Sequence, residues 1–330
     1  MADGAPSSIE PVIDEDTAAP SRSDARSVLG TKHIVLGGPF GAESQEMTAE
    51  RLEAFVAAGG SAVETALSYQ GGRGIAAIGG WLSDHPGAVD TVVKIGHGPR
   101  GEDLPLTAEV IERDVDAART VLGVETLGVL LLHNDDPERP VEDIAEVLVD
   151  AVESGRARAV GASNWPASRL DELVTRLLSA GHRPLASYHR SLAQPAPGRF
   201  RGSTLPGDEA IFAVVDSHEL PLLSWSANAG GYFAGAARTD EGPFDSAASR
   251  AARQRCTAVA VQLGSDPATV ALAWTLQQPR TYASVGAGSV DRIAQAFAAR
   301  RLHLTPDQLR RLAGPRVQRT ELDEEEGTTS

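Results

Sequence analysis

Along this chain, short apolar runs alternate with longer amphipathic ones. The short runs are HIVLGG (33–38), SAVETA (61–66), DTVVKIG (90–96), LGVLLLH (127–133), ARAVGAS (157–163), PLASYH (184–189), LPLLSWS (220–226) and TYASVGA (281–287). Each has the length and β-branched or apolar content of a strand. Between them, segments 48–59, 107–123, 141–155 and 166–181 place apolar residues three and four apart, as helices do, and 267–278 and 290–300 add two more. Ser168 and Asp171 have the spacing of a capping box. Several of these segments close on glycine, at Gly59, Gly123, Gly155 and Gly181. Strand and helix alternating eight times predict a parallel sheet with helices outside it. Eight strands suit closure into a (β/α)8 TIM barrel; an open doubly wound sheet is the alternative. A barrel of this kind carries its chemistry at the C-terminal ends of its strands.

The 330 residues hold one such barrel, of roughly 250 residues, with loops and tails to spare. We expect the barrel over 28–314, a flexible polar tail over 1–27 and an acidic tail over 315–330. A 42% hydrophobic content is enough for a full core. The net charge of −15 argues against nucleic acid and against anionic lipid as partners. The N-terminal segment has neither the basic nor the apolar region of a secretory signal, and no apolar run reaches membrane-spanning length. With Cys256 as the single cysteine, no internal disulfide forms. His97, His182 and His189 lack helical pairing or a cysteine partner, so no metal site is expected. The expectation is a soluble cytoplasmic protein of unassigned oligomeric state.

Three neighbouring strands deliver reactive groups to one rim. Glu64 lies near the end of the second, with Tyr69 in the loop after it; Lys94 closes the third and His133 the fourth. Singly, each has an ordinary explanation as a strand-end or rim residue. Together they form a set: an ammonium beside a phenol favours phenolate and lowers its pKa. A carboxylate would hold the ammonium, and an imidazole would donate to a carbonyl oxygen. The set suits protonation of an alkoxide as it forms, which reduction of a carbonyl by hydride requires.

The glycines after Tyr69 raise a competing reading. Gly72-Arg73-Gly74-Ile75-Ala76-Ala77 fits the G-x-G-x-x-[GA] turn that cradles a pyrophosphate. That turn wants an acid about twenty residues on, where this chain has Lys94-Ile95-Gly96-His97. The segments VETALSYQGGRGIAAIGGWL, VVKIG, LLLHNDDP, AVESGRARAVGASNW, LSWSANAGGYFAGAA and VALAWTLQQP…SVGAGSVDRIAQAFAA resemble, in order, those of the aldo-keto reductases. In that resemblance the glycines carry the chain from strand to helix.

The resemblance implies an NADP(H)-dependent reduction of an aldehyde or ketone, with NAD(H) the second choice of cofactor. Tyr69 would be the general acid, Lys94 and Glu64 would tune it, and His133 would orient the carbonyl. Ser163 and Asn164 fall where the nicotinamide carboxamide is held, Ser187 where the family has a further cofactor-binding residue, and Trp225 where an aromatic stacks on the nicotinamide ring. Gly286, Ala287, Ser289 and Arg292 fall in the segment that binds the adenosine phosphates; a helix starting at Ser289 would point free amides at an anion. The chain departs from the family pattern at several places. Glu64 stands for aspartate, Ser187 for glutamine, Trp225 for tyrosine, Ala296 for asparagine, and Ala227-Asn228 for Pro-Leu. The pocket loops would be 97–106, 134–140, 189–207 and 227–248, bringing Arg190, Arg199, Arg201, Tyr232 and Phe233 near a small-molecule carbonyl substrate. The departures keep two other readings open: a reductase-like barrel that binds nucleotide or partners without turnover, and non-redox acid/base chemistry at Glu64 and His133.

Overall fold

The computed structural model describes residues 23–38, 40–195, 209–234 and 242–314. The strands are β1 (Ile34–Gly37), β2 (Ala62–Ala66), β3 (Asp90–Ile95), β4 (Leu127–Leu132), β5 (Ala157–Ser163), β6 (Leu185–Tyr188), β7 (Leu222–Ser224) and β8 (Thr281–Gly286). They pair in parallel and in chain order, and β8 closes on β1, making a (β/α)8 barrel. The helices are α1 (Gln45–Ala57), α2 (Arg73–Asp84), α3 (Ala108–Leu122), α4 (Val141–Glu153), α5 (Ala167–Ser179), α6 (Glu209–Ser217), α7 (Ala247–Leu263), α8 (Pro267–Leu276), α9 (Val290–Arg301) and α10 (Pro306–Ala313).

Local chemistry sets these boundaries. Thr107 accepts from the Val110 amide to start α3; Ile111, Val115, Ala118 and Leu122 bury one face, and Gly123 ends the helix at φ 69°. The capping box expected at Ser168 and Asp171 does not form. Pro166 occupies the cap position, so Ser168 already lies inside the first turn, and Asp171 instead meets His218 Nε2 at 2.6 Å.

Two apolar layers hold the barrel. The outer one fills the space between strands and helices. The inner one is built from alternate strand residues, Val35, Ala62, Val92, Val129, Leu131, Ala159, Leu185, Leu223 and Tyr282, with Ala25, Val28 and Leu29 packed among them. Of those last three, Ala25 lies in the expected N-terminal tail and Val28 and Leu29 just inside the expected barrel: Ser23–Asp24 pairs with His182–Arg183, and Arg26–Leu29 forms a helical turn. The apolar side chains of this segment plug the barrel floor, so the folded chain begins before residue 28. Residues 1–22 of the expected N-terminal tail and the whole tail expected over 315–330 lie outside the described residues. No helix among the described residues is long and apolar enough to cross a membrane.

Side chains alternate along a strand, so the residue two places beyond each inner-layer residue also faces the barrel interior, one level higher. That step leads from Ala62 to Glu64, Val92 to Lys94, Leu131 to His133, Leu185 to Ser187, Leu223 to Trp225 and Tyr282 to Ser284. Apolar below and polar above, the interior changes character at the rim where catalysis is expected.

Candidate active site

Glu64 and Lys94 sit on adjacent strands and are almost fully buried, with Lys94 Nζ 2.5 Å from Glu64 Oε1. Lys94 Nζ also donates to the Tyr69 hydroxyl at 3.4 Å. Tyr69 comes to that point because the chain reverses immediately after it: Gln70 and Gly71 adopt positive φ, and Gly72, at φ 87°, starts α2. A side chain at Gly74 would press on the Phe40 carbonyl and on Tyr69 itself, at 3.1 and 3.4 Å. The glycines therefore seat the phenol and launch a helix. The His133 ring meets the Tyr69 ring edge-on, with centroids 5.7 Å apart. Four residues expected to act together are thus in one place.

Their ionisation follows from burial. Burial pushes the Tyr69 phenol above its ordinary range, and the attraction of Lys94 recovers only part of that. The ammonium lowers the phenol pKa, as expected, but desolvation of the phenolate is the larger effect and sets the net direction. Burial works against the Lys94 ammonium too, but Glu64 and Tyr69 outweigh it and hold its pKa above the usual lysine value. His133 is kept neutral by burial first and by the Lys94 charge second, with its pKa well below the usual histidine value. Its Nδ1 is buried and has no partner among the described residues.

Two contacts were not visible from sequence. Ser284, on β8, donates to Glu64 Oε2. His97 stacks on His133 with centroids 4.0 Å apart, and its Nε2 lies 3.0 Å from Asp103 and 2.8 Å from Asn134 Nδ2. Burial lowers the His97 pKa despite Asp103. The only signal for His97 was its place just beyond Lys94, after Gly96.

Beside this set, Ser163 and Ser187 face each other across β5 and β6, both fully buried. Neither hydroxyl has a hydrogen-bond partner among the described residues. Asn164, at φ 61°, donates to the His133 carbonyl at 3.2 Å, and its Oδ1 accepts from Trp225 Nε1 at 3.0 Å. Trp225 is thereby held at the mouth, with the His189 ring 4.9 Å away. Across the barrel, Gly286 ends β8 and its carbonyl accepts from Asn228 at 3.1 Å, so Asn228 ties the segment after β7 to the end of β8. Ser289 occupies the cap position of α9 without a capping side-chain bond. Arg292 is exposed, and its Nη1 lies 3.5 Å from where a Cβ on Gly231 would be. Buried Arg51 donates to the Ala287 carbonyl at 2.5 Å, pairs with Glu43 and lies over the Phe40 ring.

Other pocket candidates are engaged elsewhere. The Arg190 guanidinium lies 4.7 Å from the Phe212 ring on α6, Tyr232 is covered by Arg253 at 5.1 Å, and Phe233 packs in the core. Arg199 and Arg201 lie outside the described residues. Among the described residues, no group of three or more His, Cys, Asp or Glu could hold a metal ion.

Comparison with known proteins bears on this arrangement. A family model described as the Aldo/keto reductase family matches residues 28–314. The chain is 33% identical over 220 residues to a versiconal hemiacetal acetate reductase of Aspergillus parasiticus, a match covering 62% of this chain and 61% of that protein. It is 28% identical to a 6-dehydroglucose reductase of Agrobacterium fabrum, over 76% of this chain and 82% of that one. It is also 24% identical to a putative voltage-gated potassium channel subunit beta of Schizosaccharomyces pombe, over 89% and 92% of the two chains.

Proposed function

Since the chain belongs to the aldo/keto reductase family, we propose that it is an NADP(H)-dependent oxidoreductase that reduces an aldehyde or ketone to an alcohol. The observation that carries this is the contact set of Tyr69, Lys94 and Glu64 with His133 against it.

Tyr69 holds its proton, because burial disfavours the phenolate; the proton is therefore present to be given to an alkoxide oxygen. Lys94, charged and anchored by Glu64, stabilises the phenolate left behind. His133, held neutral, donates a hydrogen bond to the carbonyl oxygen and orients it between the two rings. When bound, a nicotinamide supplies the hydride, or accepts it in the alcohol-oxidising direction.

The residues present fit such a cofactor. The unpartnered hydroxyls of Ser163 and Ser187, with Asn164, match a carboxamide that both donates and accepts. Trp225 offers a flat face for the ring. Gly286, Ala287 and the uncapped start of α9 at Ser289 offer amides to phosphate, and exposed Arg292 offers charge to a further phosphate, hence NADP(H) before NAD(H). A small-molecule carbonyl compound is the substrate class.

Two measurements test the reading. Titration with NADPH and NADH should quench tryptophan fluorescence, NADPH at the lower concentration, because Trp225 is at the mouth while Trp81 and Trp165 are buried. Tyr69→Phe should then lower kcat by about 10²–10⁴-fold, the range of a positioned acid, with cofactor affinity unchanged. Full activity in that variant would remove Tyr69 from the mechanism, and no binding of either nucleotide would remove the redox reading altogether.

A further inference from the structure

We infer that Ser284 is a positioning residue for the reactive set, fixing the second oxygen of the Glu64 carboxylate so that Lys94 stays aimed at Tyr69. The inference rests on the proposed reduction for its catalytic consequence, though not for its geometry. Glu64 stands on β2 and Ser284 on β8, with β1 between them in the barrel. One carboxylate oxygen takes the Lys94 ammonium at 2.5 Å, and the other accepts from the Ser284 hydroxyl. All three residues are nearly inaccessible to water, so no solvent competes for these bonds.

A second observation points the same way. To reach β8 the carboxylate must cross β1, and the residue it crosses is Gly37. A Cβ there would lie 2.4 Å from Ser284 Oγ and 3.3 Å from Glu64 Oε2. Gly37 does not adopt positive φ, so its backbone does not call for glycine; the space does. Glycine on β1 and a long carboxylate on β2 together open the path to a donor on β8. An aspartate at 64, one methylene shorter, would still reach Lys94 on the adjacent strand but not Ser284 two strands away. Held at both ends, the Glu64 carboxylate cannot rotate, and the ammonium it anchors keeps its place beside the phenol.

The test is a double-substitution cycle read by turnover and by unfolding. Ser284→Ala should lower kcat about tenfold, the scale of one hydrogen bond to a charged group, with KM and the NADPH dissociation constant unchanged. In a Glu64→Asp background the same substitution should change kcat less than twofold, because the bond is already lost. Urea-unfolding midpoints of the four proteins should show the same non-additivity. Ser284→Cys, similar in size with a weak donor, should repeat the pattern and serves if the alanine variant does not accumulate. Equal effects of Ser284→Ala in both backgrounds, or none in the wild type, would overturn the assignment. If the wild-type chain turns over no carbonyl at all, the proposed function falls, while additive unfolding midpoints would still overturn the contact on their own.

Discussion

Lys94→Met separates the two jobs of the central ion pair. Lys94 is 2% exposed and the Glu64 side chain 5%, with their charged atoms 2.5 Å apart. Removing one partner of a buried pair costs about 3–5 kcal/mol, because the remaining charge stays desolvated and unpaired. Here the Ser284 hydroxyl still serves the orphaned carboxylate and methionine fills the lysine's volume, so the lower end, about 3 kcal/mol, is expected. Set against a total stability of roughly 5–15 kcal/mol, the variant still folds at neutral pH. Lys94→Met with Glu64→Gln removes the leftover charge and should recover at least half of the loss. The assay is urea unfolding followed across pH. The folded state holds the Lys94 proton more tightly than the unfolded chain, so its contribution is complete below about pH 10.4 and is lost as pH rises beyond that. Above that point the wild type should lose stability more steeply than Lys94→Met, by up to about 1.4 kcal/mol per pH unit. Tyr69 and Tyr282, also raised by burial, lose stability in the same direction and leave a residual slope in the variant. A single variant within about 1 kcal/mol of wild type at pH 7, or an unchanged alkaline slope, would refute the argument that this pair is desolvated and coupled.

The acid side has the opposite sign. Burial lowers the pKa of His97, His133 and His189, so the unfolded chain binds more protons, and stability present above about pH 6.5 should fall as pH drops through 6 toward 5. His133→Asn should flatten that fall by up to about 1.4 kcal/mol per pH unit in the same urea assay; an identical profile would refute it. Arg51→Ala should destabilise the protein by roughly 2–4 kcal/mol, since the Ala287 carbonyl loses its donor and Glu43 its cation, though Glu43 keeps the Thr48 hydroxyl. Because Ala287 lies in the expected phosphate-binding segment, the same variant should weaken NADPH binding several-fold in the fluorescence titration. Unchanged affinity would mean the Ala287 segment keeps its conformation unaided.

The strands were legible because parallel strands of a barrel are buried on both faces, and runs such as LGVLLLH are hard to place anywhere else. Glu64, Lys94 and His133 were legible for a related reason: a charged or titratable side chain at the end of an apolar run is conspicuous. Ser284 was not, since a serine within TYASVG looks like any strand serine. Its role depends on β8 closing against β1, which brings it to a carboxylate 220 residues away. His97 reads from sequence as the first residue of a pocket loop with no metal role, because its stack on His133 is made by the turn at Gly96, φ 90°, and not by strand periodicity.

The Ser23–Leu29 plug was hidden by its neighbours. Seven residues at the edge of a long polar stretch carry too few apolar positions to show a period, yet Ala25, Val28 and Leu29 meet a barrel floor that exists only after closure. The same closure explains why the net direction at Tyr69 is upward although the ammonium pulls it down. Sequence places an ammonium near a phenol and so counts their attraction; it cannot count the water removed from both. In this site that removal sets the direction for Tyr69, and the ammonium's attraction only moderates it. A phenol that keeps its proton until an alkoxide forms beside it is what an acid catalyst for reduction requires, so the desolvation hidden from sequence is also what makes the proposed chemistry coherent.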